Sequence, residues 1–323
     1  MSNVVLIIQQ FFSVILSAIL AFIPFSGSAS FEKEDENTRL TVAIVSDVHI
    51  DDRLPIGKLA LKSIYRDMNK FDPDAVAVLG DLTNYGDYKT TEKFFKITVD
   101  TLDEGIQPVI ISGNHDIGHA KEADGERMNQ EALADFIDLC NKYLDYGIDK
   151  PAYTIEVNGY HFICINDESV DNWDHPEYSD ETLSFIDSEL AKYAVNGMPV
   201  FVCMHVPVSD VHGEENFYEG GGLEEPWDTQ IKTIMEKYDN VFCLSGHFHK
   251  GLSNDISNPT YVTVNGVHYL NLPSSLMPNW PKDIAINGLG FIMTVTDTAV
   301  TFRCRNYYMH NWYSVFDYTT PLV

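Results

Sequence analysis

Gly80-Asp81-Leu82-Thr83-Asn84 and Gly113-Asn114-His115-Asp116 each stand directly behind a short apolar run, residues 75–79 and 108–112, and that juxtaposition decides the fold. A third run, residues 40–46, precedes them, and helix-period stretches at 56–70 and 90–102 lie between. Near-continuous apolar runs separated by such stretches predict strands buried on both faces, hence a mainly parallel sheet covered by helices. Farther along, residues 122–144 and 180–193 read as helices and 199–204 as a further strand. Asn158-Gly159 and Asn265-Gly266 are two-residue hairpin turns, joining 152–157 to 160–165 and 261–264 to 269–272. Residues 290–296 and 299–305 read as antiparallel strands, and residues 208–227 as a glycine-rich, acidic loop long enough to be functional. With no internal repeat and no linker, the expectation is one domain over residues 31–323.

Five short clusters each end or follow one of the predicted strands, residues 241–245 reading as one more. Asp47-Val48-His49 comes first, then the two segments already quoted, then His205, then Gly246-His247-Phe248-His249. Ligand sites in open parallel sheets lie beyond the carboxyl ends of the strands, so distant clusters of this kind converge. In an extended chain residues two apart share a side, which would let Asp47 with His49, and His247 with His249, each offer two donors in one direction. The set supplies imidazole nitrogen, carboxylate and amide oxygen but no thiolate. That mixture suits Mn, Fe, Zn or Co better than an all-oxygen Ca²⁺ cage. Seven donors exceed what one ion with an open position needs and fit two ions sharing a carboxylate. Gly80 and Gly113 would let backbone come close to the ions.

In this order the five blocks resemble the calcineurin-like metallophosphoesterases, whose motifs run Asp-x-His, Gly-Asp-x-x-Asn, Gly-Asn-His-Asp or Glu, a lone His, and Gly-His-x-His. The resemblance spans residues 47–249 and covers 250–323 only loosely. It implies an α/β (α+β) four-layer sandwich of two mixed β-sheets flanked by helices. It also implies two divalent transition-metal ions, Mn, Fe or Zn, the first held by Asp47, His49, Asp81 and His249. The second would be held by Asp81, Asn114, His205 and His247, with Asp81 bridging. His115 would act as general acid, with a purely electrostatic role as the alternative; Asp116 could orient its ring, and a hydroxide bridging the metals would attack a small-molecule phosphoester. Asn84 would support the site by hydrogen bonding; His119, His212, Tyr85, Tyr88 and Trp227 sit on presumed active-site loops.

Neighbouring branches narrow the reading. Purple acid phosphatases are similar but carry Tyr where this chain has Asn84 and no His at the position of His49. Ser/Thr protein phosphatases carry arginines where this chain has Tyr85 and Ser112. Class III cyclic nucleotide phosphodiesterases look nearest in motifs, though they commonly have a second His where Met204 stands. Phosphodiesters are therefore the first expectation and phosphomonoesters the second; the rival from another class is a non-catalytic metal-binding protein, which would have no need of His115.

With 323 residues, 45% hydrophobic and 12% aromatic, the chain can build a large core. Its 48 acidic against 21 basic residues give a formal charge of −27, which repels nucleic acid and anionic lipid. Residues 1–30 carry no charged side chain, and a 15-residue apolar run from Phe11 to Phe25 is followed by small residues before the charged stretch from Phe31. This reads as an export signal cleaved near Ser30, placing the domain outside the cytoplasm. The alternatives are an uncleaved membrane anchor, still with the domain outside the cytoplasm, or an ordinary buried helix. Cys140, Cys164, Cys203, Cys243 and Cys304 form no CxxC pair, and as an odd set they read as small core residues.

Overall fold

The computed structural model describes residues 37–323 apart from 54, 119–120, 123–124, 127–128, 172–174, 215–220 and 281–282. The expected export segment, His119 and part of the 208–227 loop lie outside the described residues. The chain runs β1 (Leu40–Val45), α1 (Pro55–Asn69), β2 (Ala75–Leu79), α2 (Tyr88–Thr101), β3 (Gln107–Ile111), one turn α3 (Asn114–Ile117), and α4 (Asn129–Leu144). Next come β4 (Ala152–Val157), β5 (Tyr160–Ile165), α5 (Asp180–Tyr193), β6 (Val200–Cys203), α6 (Trp227–Met235) and β7 (Val241–Ser245). The C-terminal part adds β8 (Tyr261–Val264), β9 (Val267–Asn271), β10 (Leu289–Val295), β11 (Ala299–Asn306), β12 (Asn311–Trp312) and β13 (Tyr318–Pro321).

One sheet has the order β12-β11-β10-β1-β2-β3, with β13 also on β11; the other has the order β8-β9-β7-β6-β5-β4. In the first, β1, β2 and β3 are parallel and β10 runs antiparallel to β1. In the second, β5, β6, β7 and β9 are parallel, and the outer strands β4 and β8 are antiparallel. The α/β four-layer sandwich of two mixed sheets is thus present. Period-2 alternation explains it: Leu40, Val42 and Ile44 face the other sheet, whereas Ala43 and Val45 face the helices. Phe162, Phe201, Phe242 and Phe302 fill the layer between the sheets; α1, α2 and α4 cover the first sheet and α5 and α6 the second. Each fully buried side chain of this size stabilises by roughly 1.5–3 kcal/mol. An exposed pair such as Arg39 with Asp297 contributes about 0–1 kcal/mol, so burial holds the sandwich together.

Both Asn-Gly turns form as read, with positive φ at Asn158, Gly159, Asn265 and Gly266, as type I′ turns require. The five cysteines are free and buried. Two expectations change. The helix expected from residue 122 begins at Asn129, because Lys121–Glu122 pairs with Gly125–Glu126 instead. The strand expected at 269–272 is β9, which forms the hairpin with β8 but also pairs in parallel with β7. Its carboxyl end therefore joins those of β1, β2, β3, β6 and β7. Among the described residues no helix is long and apolar enough to cross a membrane.

Candidate metal centre

The backbone builds the site by leaving each strand abruptly. Asp47, His49, Asp81, His247 and His249 all have positive φ, at 54°, 40°, 49°, 73° and 46°. For residues other than glycine such angles cost on the order of 1–3 kcal/mol each and cluster where the surrounding structure imposes them. Asp47-x-His49 and His247-x-His249 are thus kinked rather than extended, and paired left-handed residues, not strand alternation, aim both side chains at one place. Backbone pairing between loops holds the kinks: the His49 N–H donates to the Asp81 carbonyl at 2.8 Å and the Gly246 N–H to the His205 carbonyl at 3.0 Å. A Cβ on Gly80 would collide with the His205 ring, and one on Gly113 with the Asp81 carboxylate. These glycines make room for the proposed ligands' side chains.

The side chains then converge. Donor atoms of Asp47, His49, Asp81 and His249 all lie within 4.8 Å of one another. Asp81 divides its carboxylate, with Oδ2 3.2 Å from His49 Nε2 and Oδ1 3.2 Å from His205 Nε2. Asp47 Oδ1 is 3.0 Å from His249 Nε2, and His247 Nδ1 is 3.1 Å from Asn114 Oδ1. His205 Nδ1–H donates to the Leu79 carbonyl at 2.7 Å, which directs Nε2 inward to Asp81. His49 Nε2 and His249 Nε2 face each other at 3.0 Å. Imidazole nitrogens aimed at one another and at carboxylates, all buried or nearly so, form a donor set that fits divalent cations.

The electrostatics prepare the set unequally. Burial lowers His49 to about 4 against the pull of Asp81, and burial together with His205 lowers His247 to about 3, so both rings are neutral at pH 7. Burial would also lower His205, but Asp81 and then Asp47 overcome it and raise that ring to about 10. Burial opposes ionisation of Asp81, yet His205, His115 and His49 hold it well below the usual carboxylate range. A cation bound at His205 must displace its proton. Uptake near neutral pH should therefore release about one proton, and apparent affinity should rise with pH by up to roughly tenfold per unit until about pH 10. Calorimetric titration of metal-free protein in buffers of different ionisation heat measures this, and uptake with no proton released would contradict it.

Around this centre His115 lines a cleft of about 100 Å³ with Asp81, Asn114, His247 and His249. Its Nδ1–H donates to the Asn84 carbonyl at 3.0 Å, so Asn84 supports the site through its backbone. Asp116, expected to orient that ring, does something else. Its carboxylate accepts from the N–H groups of Leu82, Thr83 and Gly113 and from the Thr83 hydroxyl, tying the second block to the third. Burial and the Asp81 charge push it up to about 6, while those four donors favour the anion. His212 is buried with Nδ1 bonded to the Pro259 carbonyl, and Trp227 opens α6 with its indole donating to the Tyr178 carbonyl. Tyr85 carries the Arg53 guanidinium over its ring, and Tyr88 opens α2; none of these four aromatic side chains lines the cleft. Two residues beyond the five blocks join the site. Ser274 donates its hydroxyl to the Asp47 carbonyl at 2.9 Å, and Trp280 lines the cleft. The signal for both was the carboxyl end of β9, concealed when that strand is read only as half of a hairpin.

The fold is shared with solved structures at low identity. A dimetal phosphatase from Danio rerio superposes with a TM-score of 0.62 at 12% identity, covering 88% of this chain and 100% of its own. A purple acid phosphatase from yellow lupin seeds gives 0.56 at 15% identity, covering 87% of this chain and 53% of its own. No curated protein sequence matches the chain. The family model for calcineurin-like phosphoesterases matches residues 40–251, which contain all five clusters. The chain therefore belongs to the calcineurin-like phosphoesterases and is a metal-dependent phosphoric ester hydrolase.

Proposed function

We propose that the chain is a two-metal phosphodiesterase, with one ion held by Asp47, His49, Asp81 and His249 and the other by Asp81, Asn114, His205 and His247. The observation that carries this reading is the Asp81 carboxylate, whose two oxygens lie at equal distance from histidines of the two groups. When bound, two dications supply an acidified water and positive charge for the phosphoryl oxygens of an in-line displacement. His115 holds a proton for the departing oxygen, and the Asn84 carbonyl fixes its ring. Asp116 keeps the two loops that carry Asp81 and Asn114 in register.

Diesters are favoured over monoesters by what lines the cleft. No Arg or Lys is among its described residues, and Ser112, standing where related phosphatases carry arginine, is buried against Asn166. A diester monoanion needs less added positive charge than a monoester dianion. Protein reconstituted with Mn²⁺ and assayed on matched mono- and diesters of one alcohol should show the higher kcat/KM with the diester. A preference for the monoester would favour the phosphomonoesterase reading instead.

A further inference from the structure

Trp280 is a large apolar side chain left 46% exposed at the metal centre. Its position is fixed by the site itself. The Trp280 N–H donates to the His249 carbonyl at 2.6 Å, and the Gly251 N–H donates to the Trp280 carbonyl at 3.1 Å, so its backbone pairs across Lys250 with the segment that bears His249. The turn before it is pinned as well: Asn279 accepts from the Ser274 N–H at 2.7 Å and donates back to the Ser274 carbonyl at 2.9 Å. Ser274 in turn is bonded to the Asp47 carbonyl. The indole is therefore carried on backbone tied at both ends to residues of the metal site. Phe248, fully buried, lines the same cleft.

A half-exposed indole carried on fixed backbone beside the metal centre offers a flat apolar face where the substrate's ester group must lie. We propose that Trp280 is a specificity-determining contact and that the preferred substrates are phosphoesters whose ester group carries a flat aromatic ring, stacked on the indole. The proposal rests on the cleft being the phosphoester site. A ring of this kind is presented by an aryl or benzyl ester, close to phosphorus, or by a nucleobase, held one sugar farther away. No Arg or Lys is among the cleft's described residues to compete for the phosphate, so the apolar wall and the metal positions set the orientation together.

The test compares Trp280→Ala and Trp280→Phe with the parent enzyme, all loaded with Mn²⁺, on the benzyl methyl, nucleoside 5′-methyl and butyl methyl phosphodiesters. Alanine should raise KM by roughly 5- to 100-fold for the esters with a stacking ring, with a much smaller change for the butyl ester. Phenylalanine should restore most of the loss, and metal content should be retained. An effect confined to the benzyl ester would assign the platform to aryl groups, and one confined to the nucleoside ester to nucleobases. Equal losses on all three esters accompanied by loss of metal would make Trp280 a prop for the His249 segment and overturn the proposal, as would no loss on any. A second readout does not depend on turnover. Benzylphosphonate should quench the tryptophan emission of the metal-loaded protein at lower concentration than butylphosphonate, and Trp280→Phe should lose that difference. If no diester is hydrolysed, the phosphodiesterase reading falls while the phosphonate titration still judges Trp280; identical titrations for the two phosphonates would overturn the platform.

Discussion

Replacing Asp81 with alanine should reduce the metal content of protein loaded with excess Mn²⁺ from two ions per chain to at most one, and lower phosphoester hydrolysis by roughly 10³-fold or more. The size of the effect follows from geometry. Every other proposed ligand belongs to one group, whereas Asp81 places one oxygen 3.2 Å from His49 and the other 3.2 Å from His205. The same carboxylate accepts the His115 N–H at 3.0 Å, so its removal also loosens the turn that carries Asn114. His205 owes its raised pKa to Asp81 before any other group, and without that charge burial should bring the ring back down toward the neutral form. The proton released on metal uptake by the parent protein should then diminish in the variant. Asp81→Asn separates charge from shape, since it keeps the volume and one acceptor oxygen. Elemental analysis beside a far-ultraviolet spectrum gives the answer: two ions retained in a folded Asp81→Ala protein would dismiss the shared-carboxylate model.

Much of this was legible because strand ends are easy to find. Apolar runs at 40–46, 75–79 and 108–112 alternate with helix-period stretches, and each cluster stands where a run stops. The two Asn-Gly turns were equally plain, since few other dipeptides accept positive φ at both central positions. What stayed hidden depended on pairing between distant segments. Nothing in residues 267–271 says that β9 lies parallel to β7, and without that pairing Ser274 and Trp280 have no reason to approach Asp47 and His249. The kinked ligand pairs were hidden as well. Aspartate and histidine visit the left-handed region more readily than most residues, but only the cross-loop bonds, such as His49 to Asp81, impose it. Asp116 shows the limit of motif reasoning: adjacency to His115 suggested a partner for that ring, whereas a one-turn helix points the carboxylate back at Leu82 and Thr83 and leaves the ring to the Asn84 carbonyl.

The general acid can be isolated by varying how much the departing oxygen needs a proton. A nitrophenolate leaves unaided and an alkoxide does not, so His115→Ala should cost little with a nitrophenyl diester and up to roughly 10⁴-fold with an alkyl diester. The structure makes this substitution informative. The contact between position 115 and Asp81 runs through the backbone N–H, which alanine retains, and the ring is held by the Asn84 carbonyl. Metal content should thus stay near that of the parent. The ring also packs edge-on against His49 at 4.7 Å between centroids, so some loosening of that ligand is the competing effect, and it would lower activity on both diesters alike. Equal losses with both leaving groups and metals in place would assign His115 an electrostatic role in the transition state. Loss of metal would instead make the ring part of the coordination set. Parent-level activity on the alkyl diester would remove His115 from the mechanism and leave the departing oxygen to be protonated by solvent.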